Sequence, residues 1–174
     1  IKCGVIFNPV TNELFCAEKG NGAYLNNSRI RVSNKKKIKD SILVTGGPKQ
    51  ASKNKEKIFS EYVRISEKVS NIRKFGSAAL DMAFVACGRF DGYWQRELNY
   101  WDIAAGIIII KEAGGFVQFF EEDLNKSKIT FELIEINELD NGEDLSNFNF
   151  SYSPYLESFE LNNHIIIFTR DIFG

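Results

Sequence analysis

One acid in this chain is not explained by packing alone. Asp102 follows Tyr100 and Trp101 and precedes the apolar run IAAGIIII at residues 103–110. The two aromatics are expected to press on it, and the run is expected to be a buried helix. An Asp at a helix start is by default a cap. A carboxylate set against a buried segment is costly unless it is capped or paired with a cation. Mg2+ prefers hard oxygen ligands and needs one or two protein carboxylates when a substrate phosphate supplies further oxygens. Spacing alone leaves the cap and the metal ligand both open.

Two further features sit near it. Gly76, Ser77 and Ala78 open a second helical stretch. A helix N-terminus offers unpaired N–H groups and a partial positive charge, and small residues let a ligand approach them. The simpler role for Ser77 is an ordinary N-cap. Gln95, at a strand end, could aim its amide into the same cleft or face solvent. Arg96 and Glu97 are expected in a solvated loop.

Other chemistries find less support. His164 is the single histidine, so any Ser-His-Asp or Cys-His arrangement would have to use it. It adjoins the strand-like IIIF, where a structural role is the simpler one. Cys3, Cys16 and Cys87 are odd in number and far apart, without metal-ligand spacing. Reduced thiols of a cytoplasmic protein fit that pattern. Net charge is −1, which excludes a strong global pull toward nucleic acid or membrane. The lysine-rich stretches at 34–40 and 49–57 fit a solvated loop and a helix start, with a weak anion- or RNA-facing surface as the alternative. No apolar run spans a bilayer and no signal peptide is visible. The chain starts at Ile1, in what reads as a strand entered partway, so an N-terminally truncated fragment is expected.

Certain elements must hold these residues. CGVIFNPVTNELFCAE and GAYLNNSRIRVS read as two hairpins, turning at residues 9–12 and 26–28. SILVT (41–45) reads as a buried strand. Ile58, Phe59, Tyr62, Val63, Ile65 and Val69 recur at helical spacing and predict an amphipathic helix over 53–69. NIRKF (71–75) reads as a strand, and 77–88 as a helix capped by Ser77 and stopped by Gly88. FDGYWQ (90–95) reads as a strand, 102–115 as a helix, and FVQFF (116–120) as a strand. Strands alternating with helices predict a layered α/β unit. The expected organisation is hairpins over 1–40, an α/β domain over 41–120, and a divergent tail over 121–174, with a hairpin and a loose segment.

The segments RKFGSAALDMAFVACGRFDGYWQRELNYWDIAAGIIIIKEAGG and GVIFNPVTNELFCAEKGNGAYLNNSRIRVS resemble the inositol monophosphatase family, its bacterial members especially. The resemblance runs from about Ile1 to Phe120. It implies a layered α-β-α-β-α sandwich of the sugar-phosphatase type. Only the later part of the first sheet domain and the C-terminal α/β domain would be present. It implies Mg2+-dependent hydrolysis of a small phosphorylated polyol or sugar. By resemblance, Asp102 matches the catalytic metal ligand, and Gly76, Ser77 and Ala78 match the substrate-contacting helix start. Gln95 falls where many members carry a Glu that binds inositol hydroxyls, which leaves the substrate open. The family's upstream metal-binding Glu, its D-P-x-D-G-T motif and the residue that activates water have no counterpart here, so inactivity of this chain alone is expected. The tail after Phe120 does not match, as divergence or a reading-frame error would each produce. The resemblance also implies a homodimer for a complete protein. Two alternatives accompany it: a non-catalytic partner of the transcription machinery, and a phosphatase for another sugar phosphate or a nucleotide.

Overall fold

The computed structural model describes residues 1–119 and 164–168. Four strands come first: β1 (Cys3–Asn8), β2 (Glu13–Glu18), β3 (Gly22–Leu25) and β4 (Ser28–Arg29). They form an antiparallel sheet in that order. Asn26 and Asn27 both adopt positive φ in the two-residue connection of β3 to β4, the conformation a tight hairpin of this length demands. Strict alternation along β1 turns Gly4, Ile6 and Asn8 inward and leaves Cys3, Val5 and Phe7 exposed.

Beyond a short 3-10 turn at Ile38–Asp40 the pattern becomes β5 (Ile42–Thr45), α1 (Lys55–Ser66), β6 (Asn71–Arg73), α2 (Ala78–Ala86), β7 (Gly92–Arg96), α3 (Tyr100–Glu112) and β8 (Phe116–Phe119). A last strand, β9 (His164–Phe168), completes a second sheet of order β6-β5-β7-β9-β8. β5, β6 and β7 run parallel, and β9 is antiparallel to both β7 and β8. The segment assigned from sequence to a divergent tail therefore contributes one strand to the interior of this sheet. The expected hairpin and loose segment lie outside the described residues.

The layers follow from where apolar side chains go. Ile6, Phe15, Ala17 and Ala23 of the first sheet share one buried cluster with α2, α3, Val44 and Tyr93. The two helices are thus sandwiched between the sheets. Leu43 and Trp94, on the opposite face of the second sheet, pack with Ile65 of α1. Sheet, helix pair, sheet and helix stack as successive layers, in keeping with the expected α/β sandwich. Gly4 lets β1 lie directly on α3, since a Cβ there would stand 2.8 Å from the Ala105 carbonyl oxygen. Gly106 gives Met82 of α2 the same close approach to α3.

α1 departs from expectation in one respect. Ile58 and Ile65 are buried, but Phe59, Tyr62 and Val63 are 58%, 42% and 53% exposed. The inward position is taken by Glu61, whose carboxylate is bound by the Arg96 guanidinium. Arg96 is therefore not in a solvated loop; it ends β7 at 7% exposure, because its charge is paired inside.

Candidate functional site

Three parallel strands set one edge of the molecule. The carboxyl ends of β5, β6 and β7 face the same way, and α2 and α3 begin just after β6 and β7. Both helix N-termini therefore open on that edge, where ligands of open α/β sheets bind. Ser77 is the N-cap of α2; its hydroxyl accepts the Leu80 N–H at 3.4 Å. Gly76 before it has φ 85°, with no atom within 4 Å of where a Cβ would lie. The backbone is thus open to approach there. Ser77 and Ala78 are half-buried.

Gln95 reaches the same edge from β7. It shares a strand face with Tyr93, whose phenol donates to Gln95 Oε1 at 2.7 Å. Gly46, just past β5, lies against the amide: a Cβ there would come within 2.0 Å of Oε1. Tyr93 is 1% exposed. Burial raises its pKa well above the usual phenol range, and the negative charges of Asp81 and Asp102 push it the same way. Both acids therefore lie within electrostatic reach of this phenol.

The structure refines the place of Asp102. The helix starts at Tyr100, with Asn99 as N-cap, so Asp102 is the third helical residue and not the opening one. Its Oδ2 accepts from the Asn99 main-chain N–H at 3.0 Å and lies 3.3 Å from Asn99 Nδ2. The two residues form a reciprocal capping box. Tyr100 and Trp101, expected to press on the acid, are 44% and 79% exposed. They precede the acid on the first helical turn, which faces outward before Ile103 turns inward.

Oδ2 is thus engaged at the helix start, and Asp102 as a whole is half-buried. A carboxylate is the hard donor Mg2+ favours. Among the described residues no group of three or more His, Cys, Asp or Glu side chains could hold a metal ion. Asp102 fits Mg2+ in donor type, and further oxygens must come from elsewhere. No helix among the described residues is long and apolar enough to cross a membrane.

Several important residues were not found from sequence. Asp81, in the first turn of α2, is 0% exposed and neither carboxylate oxygen has a hydrogen-bond partner. Burial pushes its pKa from 3.8 to about 7. A lone acid in AALDMAFVA was the available signal. Asp91 fastens β5 to β7, accepting from the Ile42 N–H at 2.7 Å and from Lys35 Nζ at 2.9 Å. One lysine of the 34–40 stretch is thereby engaged. Glu112 accepts from the Gly20 and Gly22 N–H groups at 2.8 and 2.9 Å, tying the end of α3 to the link between β2 and β3. Those bonds hold its carboxyl below the usual range. Glu97 has φ 59° and accepts from Ser52 and Asn54.

The model of the "Inositol monophosphatase family" matches residues 1–142. Inositol-1-monophosphatase of Rhizobium meliloti is 48% identical over 112 residues, 64% of this chain and 42% of that protein. Nus factor SuhB of Haemophilus influenzae is 45% identical over 118 residues, 68% of this chain and 44% of its own. The crystal structure of extragenic suppressor protein suhB from Bartonella henselae superposes with a TM-score of 0.71 at 35% identity, covering 99% of this chain and 53% of that one. The chain spans less than half the length of those two curated relatives.

Proposed function

Since the chain belongs to the inositol monophosphatase family, we propose that it forms part of a Mg2+-dependent phosphomonoesterase acting on a small phosphorylated polyol or sugar. The supporting observation is the shared edge described above: Ser77 at the start of α2, Gln95 at the end of β7 and Asp102 in the first turn of α3. In this reading the open backbone of Gly76, Ser77 and Ala78 hydrogen-bonds the ester near its leaving group. Gln95 meets the polar substituents of the alcohol. Asp102 holds Mg2+ through the oxygen not engaged by Asn99. When bound, such an ion supplies polarisation of the phosphate and a water of lowered pKa. The capping box keeps the Asp102 carboxylate from rotating, so its free oxygen stays at one place on the edge.

One carboxylate cannot hold a metal cluster, so the chain by itself is inactive in this reading. Joined to the stretch of family sequence that carries the other metal carboxylates, it gains turnover. The test is phosphate release from inositol 1-phosphate with and without Mg2+. The chain alone should release none, the joined form should release it, and Asp102→Asn in the joined form should abolish the Mg2+ dependence. Turnover by the chain alone, or turnover indifferent to Asp102, refutes the reading.

A second reading rests on names. Relatives of 39–45% identity are called Nus factor SuhB, which favours a partner in the transcription machinery. That role needs a protein-facing surface rather than a full metal site. Co-purification of RNA polymerase with both wild type and Asp102→Asn would favour it.

A further inference from the structure

We infer that Glu97 is a positioning residue: tethered to the loop ahead of α1, it fixes the turn from β7 into α3 and thereby the place of the Asp102 carboxylate. The cation half of this inference rests on the metal reading of Asp102; the tether rests on geometry. Among the described residues, four non-glycine positions have positive φ. Three are asparagines at the hairpin turns, Asn12, Asn26 and Asn27. Asparagine visits that conformation readily, because its short polar side chain can bond locally. The fourth is Glu97, which has no such allowance. A backbone outlier of that kind persists only where its surroundings hold it.

Both holding groups come from one segment. Glu97 Oε1 accepts from Ser52 Oγ at 2.6 Å and from Asn54 Nδ2 at 3.1 Å. Asn54 is the N-cap of α1, yet its side chain makes no cap bond to that helix. A residue type favoured at caps for its side-chain oxygen is turned to Glu97 instead. Ser52 Oγ also accepts the Asn54 N–H at 3.0 Å, which joins the two donors to each other. Behind them, α1 is pinned to β7 by the Glu61–Arg96 pair. Only residues 97–99 connect β7 to α3. Leu98 is 6% exposed in the core shared with both helices, and Asn99 closes the capping box with Asp102. In so short a connection the left-handed step at Glu97 decides where Leu98 enters and where α3 begins. Released from Ser52 and Asn54, residue 97 relaxes toward ordinary backbone angles, and the helix start shifts with it.

The experiment uses the 174-residue chain. Alanine carries a Cβ as glutamate does, so Glu97→Ala keeps the backbone cost and removes the groups that hold it. Trypsin should cut this variant after the exposed Lys49 and Lys53 about fivefold faster than wild type. Mg2+ with inorganic phosphate should raise the wild-type melting temperature, and the Mg2+ concentration for half of that shift should rise about tenfold in Glu97→Ala. Glu97→Gln should behave as wild type, because both bonds end on one oxygen and an amide offers one too. Ser52→Ala combined with Asn54→Ala leaves residues 97–102 untouched and should reproduce both effects. Adding Glu97→Ala to that pair should change neither further. Unchanged cutting in Glu97→Ala, or a Glu97→Gln variant as impaired as Glu97→Ala, overturns the tether. Faster cutting at an unchanged Mg2+ requirement overturns the positioning role and leaves the metal reading standing. A wild type without any ion-dependent shift overturns the metal reading of Asp102, and this inference with it.

Discussion

Asp102 Oδ2 lies 3.0 Å from the Asn99 main-chain nitrogen, closing a capping box at the start of α3. One carboxylate thus serves the helix with one oxygen and the proposed cation with the other, and the two roles separate on substitution. Asparagine retains an oxygen for the Asn99 N–H, so Asp102→Asn should cost less than about 1 kcal/mol of stability. Mg2+ with inorganic phosphate should raise the melting temperature of the wild type, and Asp102→Asn should lose that shift. Thermal unfolding with and without the pair of ions measures both. A variant that keeps the ion-dependent shift removes Asp102 from the metal site.

Asp81 makes the fold sensitive to pH. Its carboxyl titrates near 3.8 when unfolded and near 7 when buried, so between those values the native state binds more protons. Stability accordingly falls as pH rises from about 4 to about 7 and levels off above. Asp81→Asn removes the charge and should stabilise the chain by on the order of 2 kcal/mol at pH 8, with little gain at pH 4. Urea unfolding at the two pH values reads it. An equal effect at both would mean that the carboxylate is not strained by burial.

The Glu61–Arg96 pair, both members under a tenth exposed, joins α1 to the end of β7. Arg96→Met strands a buried carboxylate and should cost about 3–5 kcal/mol. Replacing both partners, Glu61→Leu with Arg96→Met, should recover most of that loss. Chemical denaturation of the three proteins decides; a double variant as weak as the single one would show that the loss does not come from the stranded charge.

Two glycines at the packed faces of α3, Gly4 on β1 and Gly106 on the helix itself, differ in what surrounds them. A Cβ on Gly4 meets the Ala105 carbonyl oxygen at 2.8 Å, a backbone atom, whereas one on Gly106 meets side-chain atoms alone, Met82 Cε and Sδ at 2.7 Å and its Cβ at 2.8 Å. Alanine at Gly106 also gains helix propensity of roughly 1 kcal/mol. Gly4→Ala should therefore destabilise by about 1–3 kcal/mol and Gly106→Ala by clearly less. Equal midpoint shifts in denaturant would contradict the close seat of β1 on α3.

What the sequence disclosed is what local physics writes into it. Ser77 before AALDMAFVA, the two apolar-rich runs around the turn at 9–12 and the three-to-four spacing after Lys53 each place an element within a few residues. The edge shared by Ser77, Gln95 and Asp102 follows from strand–helix alternation. Distant partners were not legible. Arg96 looked like a loop residue because its counter-charge lies 35 positions away. Trp101 looked like packing against the acid, yet a large ring just after the N-cap can point to solvent. Asp102 was singled out from its place in the sequence, but its bond to Asn99 depends on where the helix begins, a boundary that composition leaves loose by a residue or two.

β9 lies between β7 and β8, although β8 follows α3 almost directly in the chain. During synthesis on the ribosome β8 emerges long before the strand that must separate it from β7. Until residues 164–168 leave the exit tunnel, the β7 edge keeps unsatisfied amides and carbonyls able to recruit another strand. Completion of this half of the sheet therefore waits on a strand made far later than its neighbours, and any stop codon before residue 164 would release a polypeptide with an adhesive border.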